Sequence, residues 1–236
     1  MNIVYCFDSN YFDLTLNSAK SIQKFNNGSF FYFLSNNLNA EQKVELEENI
    51  KRYTILSYDD SDLKEFDDDL LGYKHVSKAC FVRLLIPRLL KKLKRALYVD
   101  GDTICKGSLK ELYNTDFEGN YIIGAKGIDY SIKQAEELGI DNYINSGVLL
   151  FNIPLMNKDD YFTQIKENWR GAIGLPRVFS GDETIINYCF HKKIKLISEK
   201  YNYCYNRSYK GREVASDDVI LWHVTGADKG NIDKLC

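Results

Sequence analysis

The N-terminal part of the chain alternates between short apolar runs and longer amphipathic runs, which limits it to few architectures. Apolar or aromatic runs at 2–7, 30–34 and 53–58 predict strands, and the runs 14–25 and 39–52 between them predict helices. Strands that alternate with helices build parallel sheets, because each helix returns the chain to the same edge of the sheet. We therefore predict an α/β fold of the doubly wound, Rossmann-like type.

The rest of the chain continues this pattern less regularly. An apolar run from 76 to 93 predicts a helix that Pro87 should kink or split in two. The segment 59–74 carries aspartates spaced too irregularly for a calcium loop, so we interpret it as a solvated connection. Further strands are predicted at 95–100, 121–125, 147–151, 194–197 and 219–222, and a further helix at 181–192. No repeat or linker composition interrupts the chain, so we expect one domain over residues 1–236.

Charge and cysteine content disfavour several classes of protein. The 31 lysines and arginines against 33 acids give a net charge of −2, which leaves no broad positive field for nucleic acid. The apolar run before Asp8 is too short for a signal peptide or a membrane span, so we expect a cytoplasmic protein. The six cysteines contain no CxxC pair, which argues against a disulfide framework and a structural zinc site.

A basic cluster stands at the end of the apolar run that predicts a helix near residue 90. Its members are Arg88, Lys91, Lys92, Lys94 and Arg95. Cations at this place complement the helix dipole, so the cluster is typical of a solvated helix end. The alternative is a peripheral contact with anionic lipid at the inner face of a membrane.

The first candidate for chemistry is Asp100-Gly101-Asp102, where an apolar strand runs into a turn. Ligands of doubly wound sheets bind at the carboxyl ends of strands, so both acids should face a cleft. Two carboxylates separated by a flexible glycine can hold a hard divalent cation and leave positions open for phosphate oxygens. The alternative is an ordinary tight turn.

A second candidate group follows the first strand, where Asp8, Asn10 and Tyr11 stand without a glycine-rich loop. The missing loop disfavours sites for NAD and ATP. A carboxylate or an amide can bind the edge of a nucleobase and an aromatic ring can stack on its face, so these residues are candidates for holding a base. The alternative is a helix N-cap followed by a buried aromatic residue.

The third candidate is His223-Val-Thr-Gly226-Ala-Asp-Lys229, directly after the last predicted strand. A histidine can complete a metal site, a glycine allows a phosphate to approach closely, and a lysine supplies a point charge. The alternative is a structural histidine with an ordinary hydrogen bond.

Taken in this order, the three groups resemble glycosyltransferase family 8, over nearly the whole chain from Ile3 to Lys229. The resemblance implies a GT-A fold in a single domain, with a mixed and mostly parallel sheet flanked by helices. It also implies transfer of glucose or galactose from UDP-glucose or UDP-galactose, with retention of configuration, to a saccharide or glycoconjugate acceptor. Lipopolysaccharide or capsule synthesis in bacteria is the setting it indicates, and Mn²⁺ the cofactor, with Mg²⁺ as the alternative. The resemblance does not indicate an oligomeric state.

The resemblance also implies roles for individual residues. Asp100 and Asp102 are similar to the DXD pair that binds the metal, and His223 to its third protein ligand. Gly101 belongs to the same donor site. The remaining donor contacts are a diphosphate contact at Gly226 and Lys229, a uridine site at Asp8, Asn10 and Tyr11, and a sugar or phosphate contact at Arg83.

Four further residues are similar to the family's sugar contacts. Asn145, in Asn145-Ser-Gly-Val-Leu-Leu-Phe-Asn152, and Asp182 resemble residues that orient the donor hexose. Asp129 resembles an acid of the cleft, and His75 is a candidate for contact with the acceptor, with a purely structural role as its alternative.

The chain departs from the family pattern at two places. It has Asp182-Glu183-Thr184 where many members have Asp-Gln-Asp, so a carboxylate replaces the amide expected beside the anomeric carbon. A covalent nucleophile at Glu183, as in retaining glycosidases, is therefore an alternative to attack from the same face as the departing UDP. The HxxGxxK motif continues as Gly230-Asn231 instead of Pro-Trp, and the chain stops at Cys236, so we expect the C-terminal extension to be absent or truncated.

Two other functions remain as alternatives. A sugar nucleotidyltransferase shares the sheet, the nucleotide and the metal, but it needs a glycine-rich basic loop that residues 8–13 lack. A catalytically silent domain that binds a UDP-sugar is the second alternative.

Overall fold

A computed structural model describes residues 1–66, 79–127, 129–172, 180–205 and 217–225. The strands are β1 (Asn2–Cys6), β2 (Phe30–Leu34), β3 (Tyr53–Leu56), β4 (Arg95–Val99), β5 (Thr103–Cys105), β6 (Ile122–Lys126), β7 (Ile144–Asn152), β8 (Ile194–Ile197), β9 (Tyr203–Tyr205) and β10 (Leu221–Val224). The α-helices are α1 (Phe12–Phe25), α2 (Ala40–Asn49), α3 (Ala79–Val82), α4 (Ile86–Leu89), α5 (Lys110–Asn114), α6 (Asp129–Leu138), α7 (Ile153–Lys158), α8 (Tyr161–Asn168) and α9 (Asp182–Phe190).

The central sheet has seven strands in the order β3-β2-β1-β4-β7-β6-β8. Strand β7 runs antiparallel to both of its neighbours, β4 and β6, and every other pairing in this sheet is parallel. This confirms the predicted α/β class with a mixed and mostly parallel sheet. Because the parallel strands share one direction, the carboxyl ends of β1, β4 and β6 lie at the same edge of the sheet.

A second, three-stranded sheet in the order β5-β10-β9 was not predicted. Strand β10 pairs antiparallel with β5 and parallel with β9. The predicted last strand, 219–222, begins two residues later, so His223 lies inside β10 and does not follow it. This difference decides where the histidine points.

The first two helices form for reasons visible in their sequences. Helix α1 buries Phe12, Leu16, Ala19 and Ile22, which recur every three or four residues and therefore share one face against the sheet. Helix α2 begins with a capping box, in which Asn39 accepts from the backbone of Gln42 and the Gln42 side chain accepts from the backbone of Asn39.

The structure corrects the interpretation of 59–74 as a solvated connection. Residues Asp60–Phe66 form a 3₁₀ helix, and both Leu63 and Phe66 are buried in the core. The Phe66 ring stacks on Phe81 with centroids 5.4 Å apart and lies at the same distance from Trp169. The many aspartates made the three-residue spacing of Leu63 and Phe66 hard to recognise in the sequence. Residues 67–74 lie outside the described part of the structure.

The predicted helix 76–93 is divided, as Pro87 indicated. Its described part consists of α3 and α4, with a 3₁₀ turn, Arg83–Leu85, between them. Pro87 lies in the first turn of α4, where its missing N–H is tolerated. From the basic cluster, Arg88 pairs with Asp62 at 2.8 Å and Arg95 belongs to β4, so these two are not part of one continuous basic surface.

Within the described ranges, no helix combines the length and the apolar character needed to cross a bilayer. The five cysteines in these ranges are all free thiols.

Candidate active site

The acid pair and the histidine meet because two sheets join at the end of β4. Asp100 and Asp102 occupy the turn between β4 and β5, and β10 lies beside β5 with His223 opposite Thr103. The backbone N–H of Val224 donates to the carbonyl of Asp102 at 2.9 Å. As a result, Nε2 of His223 lies 3.2 Å from Oδ1 of Asp102 and 3.6 Å from Oδ2 of Asp100.

These three side chains have the donor atoms and the spacing of a divalent cation site. One ligand atom from each lies within 4.8 Å of the other two. Two carboxylates and one imidazole suit Mn²⁺, and the carboxylates also suit Mg²⁺. Burial disfavours a charged ring, but the carboxylate of Asp102 outweighs it and raises the pKa of His223 well above its usual value. The two carboxylates therefore favour a positive charge at this place, from a proton or from a metal ion.

Two glycines make room for this arrangement. A Cβ at Gly101 would lie 2.4 Å from Oγ1 and 3.3 Å from the backbone Cα of Thr15 in α1, so the turn packs directly on that helix. A Cβ at Gly147 would lie 2.2 Å from Cε1 of His223, so the imidazole lies against bare backbone of β7. The close contact with Thr15 therefore favours a glycine between the two acids.

Arg83 is a buried cross-link between two carboxylates. Its Nη2 lies 3.1 Å from Oδ1 of Asp100, and its Nε lies 3.1 Å from Oδ2 of Asp182. The single Nε–H donates to the carbonyl of Cys80, so the contact with Asp182 is an ion pair. Nη1 donates to both the carbonyl and the hydroxyl of Ser146. With the guanidinium enclosed in this way, Arg83 contacts the site through the acids that it orients.

Tyr98 is a further member of the site that the sequence analysis missed. Its hydroxyl donates a hydrogen bond to Oδ1 of Asp100, and its ring lies 4.6 Å from the guanidinium carbon of Arg83. Residues two apart on a strand share one face, so the spacing of Tyr98 and Asp100 was a usable signal.

The residues predicted to contact the donor sugar on β7 and at the start of α9 lie close together. Nδ2 of Asn145 donates to Oε2 of Glu183 at 2.9 Å, and the backbone N–H of Ser146 donates to the same oxygen at 3.0 Å. Burial raises the pKa of Glu183 to about 7 and is opposed by the Ser146 hydrogen bond. Burial also raises the pKa of Asp182, with the positive charge of Arg83 acting in the opposite direction.

The three residues proposed for a base follow β1, at the same edge of the sheet as Asp100. Asp8 caps a short 3₁₀ helix, Ser9–Tyr11, by accepting from the backbone N–H of Asn10 at 2.9 Å. Asn10 is exposed, and Tyr11 exposes 38% of its surface. The N-cap of the structural alternative is therefore present, whereas its buried aromatic residue is not.

Several predicted residues cannot be placed at the site. Asp129 begins α6, but its side chain lies outside the described part of the structure. Gly226, Lys229 and His75 also lie outside the described residues.

Asn202 and Cys204, which no sequence pattern indicated, lie on the other side of the histidine. Nδ1 of His223 is 3.0 Å from Oδ1 of Asn202 and 3.7 Å from Sγ of Cys204. The parallel pairing of β9 with β10 brings them there, with Cys204 in register with His223. Because this pairing joins segments without a shared local pattern, only the tertiary structure reveals the two residues.

Comparisons with known proteins agree with this architecture. Glycosyltransferase GlyB of Streptococcus pneumoniae is 28% identical over 206 residues, which cover 86% of this chain and 48% of that protein. Lipopolysaccharide 1,3-galactosyltransferase of Salmonella typhimurium is 26% identical over 168 residues, which cover 66% of this chain and 50% of that protein. The chain thus spans about half the length of these two relatives.

A solved structure and a family model extend the comparison to the whole chain. The galactosyltransferase LgtC, solved with donor and acceptor sugar analogs, has the same fold, with a TM-score of 0.82 at 19% identity. That alignment covers 100% of this chain and 95% of LgtC. The model of "Glycosyl transferase family 8" matches residues 2–229, and the chain therefore belongs to glycosyl transferase family 8.

Proposed function

We propose that this chain transfers glucose or galactose from UDP-glucose or UDP-galactose to a saccharide or glycoconjugate acceptor, with retention of configuration. The observation that carries the proposal is the convergence of Asp100, Asp102 and His223 at the carboxyl edge of the sheet in a member of this family. The related galactosyltransferase of Salmonella acts on lipopolysaccharide by its name, which favours an acceptor from bacterial surface glycan synthesis.

Asp100, Asp102 and His223 would hold Mn²⁺, with Mg²⁺ as the alternative. A divalent cation held there would stabilise the negative charge that develops on the two phosphates of departing UDP. The chain's own part is to keep three ligand atoms converged. The Arg83 ion pair and the Tyr98 hydroxyl orient Asp100, while the β5–β10 pairing holds Asp102 beside His223.

The donor would extend from this centre in two directions along the same edge. Asp8, Asn10 and Tyr11 would hold uridine, since Tyr11 offers an exposed ring at the end of the neighbouring strand β1. On the phosphate side, Gly226 would allow close approach and Lys229 would supply a positive charge. These roles follow from the motif's order in the chain.

On the sugar side, Asp182 and Asn145 would orient the donor hexose, with Asp129 as a further acid of the cleft. Arg83 holds Asp182 and Asp100 at 3.1 Å each, so the sugar contact and the cation site are fixed by one guanidinium. We propose that Arg83 acts on the donor through these two carboxylates.

The reaction that fits is attack from the face that UDP leaves. The bond between the anomeric carbon and the phosphate oxygen breaks, the acceptor oxygen bonds to that carbon, and its proton passes to the departing diphosphate. Covalent attack through Oε2 of Glu183 is less favoured, because this oxygen already accepts two hydrogen bonds. Mass spectrometry of protein incubated with donor alone tests this, since a hexosyl adduct on Glu183 would establish the covalent route.

We propose that residues 1–236 form one catalytic domain that works on the cytoplasmic side of the membrane. Lys91, Lys92 and Lys94 would provide any peripheral contact with anionic lipid, which vesicle co-sedimentation would measure. Release of the protein from anionic vesicles at raised salt is the expected sign of such a contact.

The test of the function is UDP release with Mn²⁺ and, separately, UDP-glucose or UDP-galactose. Asp102→Asn removes one ligand charge and should abolish release, while Asp116→Asn should leave it unchanged. Asp116 is the matched control because it is exposed in the turn before β6, at the opposite edge of the sheet. Release from one donor that disappears in Asp102→Asn alone would establish the activity and identify the sugar. Binding of UDP without release from either donor, in the presence of acceptor glycans, would instead favour the silent binding domain.

A further inference from the structure

A series of four polar side chains runs from the candidate metal ligand His223 to Glu183 through the interior of the protein. Glu183 accepts from Asn145, Asn145 accepts from Asn202, and Asn202 faces Nδ1 of His223. All four are buried, so water does not compete for these hydrogen bonds. No sequence pattern indicates a role for Asn202.

A backbone N–H determines which atoms donate and which accept in this series of hydrogen bonds. The backbone N–H of Gly147 donates to one side-chain atom of Asn145 at 3.0 Å, and that atom must be the amide oxygen because a backbone N–H only donates. The other amide atom of Asn145, its Nδ2, is then the one that donates to Glu183. The amide orientation of Asn145 follows from the backbone of β7.

This orientation determines the proton position on the histidine. The oxygen of Asn145 lies 2.8 Å from Asn202 and must accept from its Nδ2. The Oδ1 of Asn202 therefore faces His223, at 3.0 Å from Nδ1. Since an amide oxygen only accepts, Nδ1 must carry a hydrogen. The lone pair of the neutral ring is then on Nε2, which is the atom beside Asp100 and Asp102.

One other atom near Nδ1 could accept this hydrogen. Sγ of Cys204 lies 3.7 Å away, and sulfur is a weak acceptor. Asn202 is closer and exposes only 2% of its surface. It is thus the acceptor that holds a hydrogen on Nδ1.

We propose that Asn202 is a positioning residue that holds the proton of His223 on Nδ1, so that Nε2 is available to a divalent cation. The inference rests on the proposed cation site. Groups that orient a metal-bound histidine from behind typically contribute about 10- to 100-fold to metal affinity. Asn202→Ala should therefore weaken Mn²⁺ binding by about that factor.

Binding of Mn²⁺ measured by calorimetry, together with thermal unfolding of the metal-free protein, tests the proposal. Asn202→Asp keeps an acceptor for Nδ1–H but loses the donor to Asn145 and buries an extra charge. We expect it to recover most of the Mn²⁺ affinity while remaining as unstable as Asn202→Ala, or less stable. A merely structural residue would lose affinity and stability together in both variants.

A matched control is Asn26→Ala. Asn26 is also buried and hydrogen-bonded on both sides of its amide, to the backbone of Leu109, Ile22 and Gly107, outside the candidate site. Its loss should lower stability and leave Mn²⁺ affinity unchanged. Equal losses of affinity in Asn26→Ala and Asn202→Ala would overturn the proposal.

Nitrogen NMR of the imidazole rings separates the hydrogen bond from the added charge of Asn202→Asp. The chain has only three histidines, and a His223→Gln spectrum assigns the relevant signals. In the wild type with Mg²⁺, Nδ1 of His223 should carry a proton that is hydrogen-bonded to Asn202, and in Asn202→Ala the signal of this proton should shift to that of an imidazole N–H without this acceptor. A wild-type ring with the proton on Nε2, or unchanged Mn²⁺ affinity in Asn202→Ala, would overturn the role of Asn202 alone. A wild type that binds neither Mn²⁺ nor Mg²⁺ would overturn the cation site as well.

Discussion

Gly147→Ala should damage the candidate site because its new methyl group enters the imidazole of His223. The added Cβ would lie 2.2 Å from Cε1 and 2.6 Å from Nδ1 of that ring. Carbon atoms pack at about 3.5 Å or more, so the imidazole ring and strand β7 must move apart by about 1.3 Å. A retreat of this size breaks the 3.0 Å contact with Asn202 and moves Nε2 away from Asp102.

The expected cost appears in two measurements. Overpacking of this kind destabilises a protein by about 1–3 kcal/mol, which for a chain of this length lowers the melting temperature by about 2–4 °C per kcal/mol. A displaced ligand should also weaken Mn²⁺ binding about 10- to 100-fold, measured by calorimetry.

The control for this change is Gly107→Ala. A Cβ at Gly107 would lie 3.5 Å from the Ile220 side chain, which is ordinary contact. We expect it to leave Mn²⁺ affinity unchanged and the melting temperature nearly so. If Gly147→Ala bound Mn²⁺ as tightly as the wild type, the histidine would not be held against β7 as described.

Three further predictions concern stability. Arg83→Met removes the positive charge between Asp100 and Asp182 and should lower the free energy of unfolding in urea by about 3–5 kcal/mol. Adding Asp182→Asn should recover part of this loss, and simple additivity of the two changes would contradict the coupling. Glu183→Gln should remove a pH dependence of stability. The Glu183 carboxyl has a pKa of about 7 in the folded protein and near 4.5 in the unfolded chain, so between these values it ionises only when the chain unfolds. The wild-type protein therefore loses stability as the pH rises from 4.5 to 7. Relative to wild type, this variant should therefore gain up to about 3 kcal/mol between pH 4.5 and 7 and nothing further above it, and a difference independent of pH would refute the shift. Phe66→Ala should lower the free energy of unfolding by about 3–5 kcal/mol in guanidinium, because the ring packs between Phe81 and Trp169. A loss below about 1 kcal/mol would instead support the interpretation of this segment as a solvated connection.

Much of the fold could be predicted because its elements depend on neighbours in the chain. The alternation of β1, α1, β2, α2 and β3 follows from apolar periodicity, and Pro87 marked the division between α3 and α4. The 3₁₀ helix at Asp60–Phe66 was missed because its acids dominated the composition, although Leu63 and Phe66 share its buried side. Composition describes the exposed side of such a segment, whereas packing depends on the few residues of the other side.

The candidate site divides in the same way. Asp100 and Asp102 were predictable because a strand that ends on an acid places it at the carboxyl edge of the sheet. The enclosed position of Arg83 was not, since the pattern Phe81-Val82-Arg83-Leu84 does not show that its charge is shared between two distant carboxylates. The roles of all the assigned site residues stay predictions, including those of Asp8, Asn10, Tyr11, Gly226 and Lys229.

The amino-acid sequence by itself determined the order of strands and helices, the acid pair after β4 and membership of the family, because each of these is carried by short-range spacing or by motifs in a fixed order. Only the tertiary structure decided that His223 meets Asp102, that Arg83 joins Asp100 to Asp182, and that Asn202 faces Nδ1 of the histidine. The physical reason is that these contacts depend on the pairing of β10 with β5 and β9 and on the close packing permitted by Gly147. Strand pairing between segments far apart in the chain is selected by the free energy of the whole fold, and no local pattern encodes it.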